Sequence, residues 1–309
     1  MVGMRSARAV AAALALSLLA GTAEAGSIVI GLDELTSNPD HSKIQQYGTG
    51  GAFLATLAGP PTVLDPTDFG EDSAGNLYIG SQDNSRIIKV TPGGTVSTFK
   101  SGLGALLLMA VGPDDGVYFT RTAGGTTLER VNQDGTIDIV VSGITSPRAI
   151  AFAANGDLYY SAENSKVYRF VAGVSTLFAN VGSTSTDVIS DMAFDAAGNL
   201  LVTQEFLNTV KSIDAGGAVS TFTTTGLSRP SGIAVDDGGG VYVANFNNGT
   251  VRKFAADGTD LGNFVSGLTR PVPVGFWSAG ANVVAVPAPG ALASLLAGLG
   301  LIGLLRRRR

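Results

Sequence analysis

The stretch ITSPRAIAFAANGDLYYSAENSKVYRFVAGVSTLFANVGSTST, residues 144–186, holds four strand signals in a row. Arg148 to Phe152 is a short apolar run that stops at the Ala154-Asn155-Gly156 turn. Asp157 to Ser161 follows, and Glu163-Asn164-Ser165 turns the chain into Lys166 to Phe170. After Ala172-Gly173 comes Val174 to Phe178. Short runs rich in Val, Tyr and Phe, punctuated by Asn and Gly, read as antiparallel strands joined by tight turns. Four of them in so short a span make one blade of a β-propeller.

The pattern recurs at 64–102, 103–143, 187–226 and 227–267. The residue that anchors the second strand is Tyr78, Tyr118, Tyr159, Leu201 and Tyr242, at steps of 40, 41, 42 and 41 residues. Such regularity marks repeat architecture. Residues 268–284 repeat the opening of a unit and stop, while residues 27–58 begin inside one, with strand signals at Ile28 to Ile30, Ser42 to Tyr47 and Ala52 to Leu57. A blade shared between the two ends brings the expected count to six. Ile28–Ile30 and Asn282–Val284 both resemble the second strand of that shared blade, and only one can fill the place. The expected fold is an all-β six-bladed propeller over residues 26–285.

Two motifs carry a family likeness: PSGIAVDDGGGVYVA, Pro230 to Ala244, and NSRIIKVTPGG, Asn84 to Gly94. The units resemble NHL repeats and the six-bladed propellers of the gluconolactonase and streptogramin-lyase type. The resemblance implies a ligand at one mouth of the central channel. In the gluconolactonase branch it also implies a divalent cation held by acidic and amide side chains.

Composition agrees with a large β core. Gly reaches 42 residues while Cys is absent, which removes disulfides, thiolate metal sites and a Cys nucleophile from consideration. The formal charge is −5, and the two ends are basic, so the body between them carries −10. A body of that sign is a poor partner for nucleic acid, whose affinity comes from neutralising phosphates.

The ends read as processing segments. Arg5 and Arg8 precede an apolar run from Val10 to Ala20, and Ala23-Glu24-Ala25 is an A-x-A cleavage site, so residues 1–25 are expected to be a secretory signal cut by signal peptidase after Ala25. At the other end, Val286-Pro287-Ala288-Pro289 leads into an uncharged run from Ala291 to Leu305 and then Arg306, Arg307, Arg308 and Arg309. That apolar run is short for a permanent transmembrane helix. The tail resembles the PEP-CTERM sorting signal, with Ala288 where the usual motif has Glu. The resemblance implies an exosortase as processing partner, transient insertion in the inner membrane, and delivery to the envelope or exterior of a Gram-negative cell.

Candidate chemistry sits at strand junctions. Asp65, Asp68, Arg148, Asp187, Asp191, Arg229 and Arg270 precede or open the innermost strands. Gln82, Asp83, Glu163, Gln204, Glu205, Asn245 and Asn247 lie between second and third strands. Asp187, Asp191 and Glu205 break the repeat consensus and are the preferred metal ligands, with Ca²⁺ as the cation their oxygen chemistry suits. His41, the sole His, lies in an insertion, and a single His cannot supply the pair that a streptogramin-lyase mechanism implies. Trp277 is expected in the core. No phosphate loop, zinc spacing, dinucleotide fingerprint or nucleophile elbow is present. These readings favour a non-catalytic binding or matrix propeller, with extracellular polysaccharide or envelope components as the expected partner, and a metal-dependent lactonase, esterase or lyase as the alternative.

Overall fold

The computed structural model describes residues 26–33, 42–122, 125–182 and 188–279. The readings made on the signal at 1–25, on His41, on Asp187, on Asn282–Val284 and on the tail at 286–309 fall outside them. Nearly all regular structure in the described residues is strand.

The first blade takes β1 (Ser27–Leu32), β2 (Lys43–Tyr47) and β3 (Phe53–Ala58). The second is β4 (Pro66–Glu71), β5 (Leu77–Ser81), β6 (Arg86–Val90) and β7 (Val96–Ser101). The third is β8 (Leu106–Val111), β9 (Val117–Arg121), β10 (Thr127–Val131) and β11 (Ile137–Ser142). The fourth is β12 (Ile150–Phe152), β13 (Leu158–Ala162), β14 (Lys166–Val171) and β15 (Val174–Asn180). The fifth is β16 (Ile189–Phe194), β17 (Leu200–Gln204), β18 (Thr209–Ile213) and β19 (Val219–Thr223). The sixth is β20 (Pro230–Val235), β21 (Val241–Asn245), β22 (Thr250–Phe254) and β23 (Asp260–Val265), after which β24 (Pro271–Trp277) returns to the first blade. Every sheet is antiparallel and meanders outward, and the first has the order β24-β1-β2-β3. The innermost strands neighbour one another in the cycle β24, β4, β8, β12, β16, β20 and back to β24.

Side-chain alternation along the second strand of each blade makes this ring. Leu77 and Ile79 pack back on Val29 and Ile44 of the first blade, while Tyr78 between them packs forward on Met109, Val117 and Phe119 of the third. Tyr118 faces the fourth blade in the same way, Tyr159 the fifth, Leu201 the sixth and Tyr242 the first. The periodic anchor of the sequence is therefore the residue that couples each blade to its successor. Its hydroxyl is satisfied at the turn beneath: Tyr78 donates to Asp72 at 3.0 Å, Tyr118 to Asp114 at 3.0 Å and Tyr242 to Asp236 at 2.8 Å. Close approach is needed at Gly232, where an added Cβ would lie 2.5 Å from the Val272 carbonyl oxygen of the neighbouring inner strand.

The ends close the ring as expected. β24 pairs antiparallel with β1, setting Ser27 opposite Trp277 and Ile30 opposite Val274, so the Ile28–Ile30 segment takes the second-strand place. Trp277 is fully buried, and its indole N–H donates to the Gly75 carbonyl of the second blade at 2.9 Å. The Glu71 carboxylate accepts from the Ser278 amide and hydroxyl, both at 2.8 Å, and from the Ala279 amide at 3.1 Å. Both described chain ends thus lie on the Glu71 side of the ring, and the opposite side is left to the loops that follow the second strands.

Removing the indole should leave a large cavity at the one seam without covalent continuity. Trp277→Ala is expected to cost about 3–5 kcal/mol of unfolding free energy, as read from denaturant midpoints. A loss under about 1 kcal/mol would mean that the seam does not hold the ring.

Candidate functional site

The channel mouth opposite Glu71 is built from two repeated backbone positions. One is the residue just before the innermost strand, and the other is the residue just after the second strand. They are joined by a backbone hydrogen bond, from the Gln82 amide to the Asp65 carbonyl at 3.0 Å, from Phe246 to Arg229 at 3.1 Å and from Asp33 to Arg270 at 3.1 Å. Asp65, Ser146, Arg229 and Arg270 each stand directly before a proline and have φ of 52°, 49°, 56° and 40°. Left-handed backbone is uncommon for residues with a Cβ and costs about 1–3 kcal/mol where packing enforces it. Three of these four strained positions carry charged side chains that line the mouth.

Asp33, Asp65, Gln82, Arg148, Ser190, Asp191, Glu205, Arg229, Phe246 and Arg270 surround a cavity of about 230 Å³. Its charges are arranged in pairs. Arg270 Nη2 lies 2.8 Å from Asp33 Oδ2. Arg229 Nε donates to Glu205 Oε1, whose other oxygen accepts from the Ser190 hydroxyl at 3.2 Å. The two guanidinium groups sandwich the Phe246 ring, at 4.6 Å for Arg229 and 4.4 Å for Arg270, an arrangement that restrains both cations. Asp65 is hydrogen-bonded to Asp33, and burial pushes its carboxyl up to about 7, helped by the charges of Asp33 and Asp83 and opposed by Arg270. Two adjoining carboxyls, one of them raised to about 7, beside a fixed cation, have the makings of an acid–base centre.

Arg148 differs from the other two cations. It opens the innermost strand of the fourth blade, and burial lowers the pKa of its guanidinium, opposed by the charge of Glu205. Among the described residues no carboxylate pairs with it, and its buried Nε has no hydrogen-bond partner.

Below the mouth, Asp68 and Asp191 face the channel from opposite blades. Asp191 shares its position with one other blade only: Asp68 holds the equivalent place with the same bonds, and the other blades carry apolar residues or glycine there. Asp68 accepts from Phe69 N at 2.8 Å and from Met109 N of the next blade at 3.0 Å. Asp191 accepts from Met192 N at 2.7 Å and from Ile233 N of the next blade at 2.8 Å. They are clips between blades. Burial raises both carboxyls, Asp191 to about 7, and the charge of Asp191 raises Asp68 further.

The expected metal ligands are not gathered into a cage among the described residues, where no three His, Asp or Glu side chains stand ready to hold an ion. Glu205 is tied to Arg229, and Asp191 to two amides. Three guanidinium groups around the mouth also oppose a divalent cation, so the described donor set does not fit one. Other expected residues serve structure. Gln204 donates to the Val181 carbonyl, Asn245 holds Ser228 N and the Gly226 carbonyl, and Glu163 turns to Lys166 and Tyr168. Asp33 was not among the sequence candidates, although placing Ile28–Ile30 on the second strand would have put it in the slot of Gln82 and Glu205.

An NHL repeat profile matches residues 227–254. Pentonolactonase XacC of Haloferax volcanii is 26% identical over 151 residues, a match that takes in 48% of this chain and 40% of that protein. Among solved structures, a chain of a nidogen/laminin complex superposes with a TM-score of 0.69 at 14% identity, over 82% of this chain and 98% of that one. A gluconolactonase of Xanthomonas campestris superposes with a TM-score of 0.58 at 16% identity, over 78% of this chain and 86% of that one. The structural likenesses establish the propeller fold. The lactonases among these relatives overturn the expectation of a non-catalytic binding or matrix protein and favour the alternative carried beside it.

The Asp191 clip makes a pH-dependent contribution to stability. Its carboxyl titrates near 3.9 when unfolded and at about 7 when folded, so its stabilising contribution is complete in acid and is lost as pH rises through 7. The unfolding free energy of Asp191→Asn relative to wild type should therefore shift in favour of the variant between about pH 4 and pH 7, then level off. A difference independent of pH would show that Asp191 is ionised throughout.

Proposed function

We propose that this propeller hydrolyses a small lactone at the Asp33–Asp65 mouth. The Asp33–Asp65 carboxyl pair beside Arg270, with Asp65 raised to about 7, carries this reading. The lactonase relatives and the cavity of about 230 Å³ support it, since that volume falls below the pockets of about 300–1,000 Å³ that hold drug-sized ligands and suits a single-ring substrate.

In the proposed reaction, ionised Asp65 takes a proton from a water molecule as the water oxygen bonds to the lactone carbonyl carbon. Asp33 holds Asp65 in place by their hydrogen bond. Arg270, fixed between Asp33 and Phe246, stabilises the negative charge that develops on the carbonyl oxygen. Collapse of the tetrahedral intermediate breaks the ring carbon–oxygen bond, and the departing oxygen recovers the proton from Asp65. The product is an open-chain hydroxycarboxylate. No step passes through a metal, because the described donor set does not fit one. Export by residues 1–25 and sorting through residues 286–309 belong to the same proposal, and the order of motifs at the two ends supports them.

The test is turnover of a panel of pentono- and hexonolactones, corrected for spontaneous opening. kcat/KM should rise with pH through a midpoint of about 7, the range of the Asp65 carboxyl. Asp65→Asn should lower it by about 10²–10⁴-fold. Asp33→Asn removes a charge that raises the Asp65 pKa, so the midpoint should move to lower pH. Turnover that survives Asp65→Asn, or no turnover of any lactone, would refute the reading.

A further inference from the structure

We infer that Arg148 is an anchor for a carboxylate on the ligand, so that the preferred substrate is a lactone that also carries a free acid group. The inference rests on the lactonase reading for the word lactone, but the anion subsite itself stands on geometry.

A guanidinium withdrawn from water without a counter-ion is costly, and the cost is relieved only when an anion arrives. Arg148 is half-buried, its Nε has no hydrogen-bond partner and it forms no ion pair among the described residues, although the charge of Glu205 acts on it. Arg270 Nε is likewise without a hydrogen-bond partner, but Arg229 is ion-paired with Glu205 and Arg270 with Asp33. The mouth therefore offers one guanidinium that is not engaged in an ion pair among the described residues, on one planar fork. That matches a monoanionic carboxylate in size, charge and bidentate geometry. A phosphate dianion brings two charges, and the other two cations are already committed.

Position separates this anchor from the reacting centre. Arg148 belongs to the fourth blade, and Asp33 and Arg270 belong to the first, which lies across the ring of six. The charges that act most strongly on Asp65 are those of Asp33, Asp83 and Arg270. A ligand whose carbonyl meets Asp65 and Arg270 would thus reach Arg148 with its far end. Leu107 and Leu108, from the third blade between the two poles, present no competing charge. Arg148 is then a specificity residue that holds the remote acid group. Its own blade fixes it, through the Arg148 amide bond to the Ser161 carbonyl at 3.1 Å and the Thr120 hydroxyl bond to the Arg148 carbonyl at 2.8 Å.

The experiment is calorimetric titration of the full chain with D-glucuronate, a sugar acid that is not a lactone and is not turned over. Its methyl ester and glucose 6-phosphate serve as comparison probes. Wild-type protein should bind glucuronate about ten- to a hundredfold more tightly than the neutral ester, the size of one charge-assisted contact. It should also prefer glucuronate to the phosphate. Arg148→Gln should abolish the preference for the acid, and Arg148→Lys should restore part of it. In turnover, the ratio of kcat/KM for an acidic lactone to that for a neutral lactone should collapse in Arg148→Gln, chiefly through KM. Equal binding of acid and ester by the wild type would overturn the inference without need of any variant, as would tighter binding of the phosphate. Glucuronate binding through Arg148 with no lactone turnover would sink the lactonase reading alone. Turnover without preference for acidic lactones would sink the anchor alone.

Discussion

The contact on which everything else rests is the packing of one blade's second strand against the next blade. Each second strand has two apolar faces, and each face is covered only if a neighbouring blade stands beside it. Six such interfaces bury the set completely only when the last blade meets the first. Closure is thus imposed by water on every blade at once, and the seam at Trp277 and Glu71 is where the chain must supply it without covalent continuity.

Closure also places the chemistry. The rigid ring brings residues far apart in sequence to one mouth, so Asp33 meets Asp65 and Arg270 although they come from the opening, the second unit and the final strand. Left-handed backbone before Pro66, Pro230 and Pro271 is tolerated there because packing on both sides determines it. These three strained positions present charge to the mouth. Carboxylates that are bonded to backbone amides, such as Asp68 and Asp191, hold adjacent blades together, and Asp191 also borders the cavity.

The mouth is an economy of paired charges. Two of its three cations are neutralised and stacked on Phe246, which restrains them as fixed electrostatic elements. The carboxyl pair stays near its point of half-ionisation, because burial and mutual repulsion both work against a second negative charge. The remaining cation gives the cavity its polarity. An asymmetric ligand with a reactive carbonyl at one end and an acid at the other satisfies both poles.

Much of the fold was legible in the chain. The spacing of Tyr78, Tyr118, Tyr159, Leu201 and Tyr242 determined the blade count, because each anchor performs the same local task and a local task leaves a periodic mark. The turns, the outward meander and the burial of Trp277 follow from the same local rules. The site was only half legible. Asp65, Arg148, Arg229, Arg270 and Glu205 stood at the right junctions, but Asp191 proved to share its clip position with Asp68, and Asp33 was overlooked because its half-blade has no complete register of its own. Which charges neutralise one another, and which cation is left over, depended on the closed ring. Pairing is a property of distance between blades, and sequence order carries no information about distance across a channel.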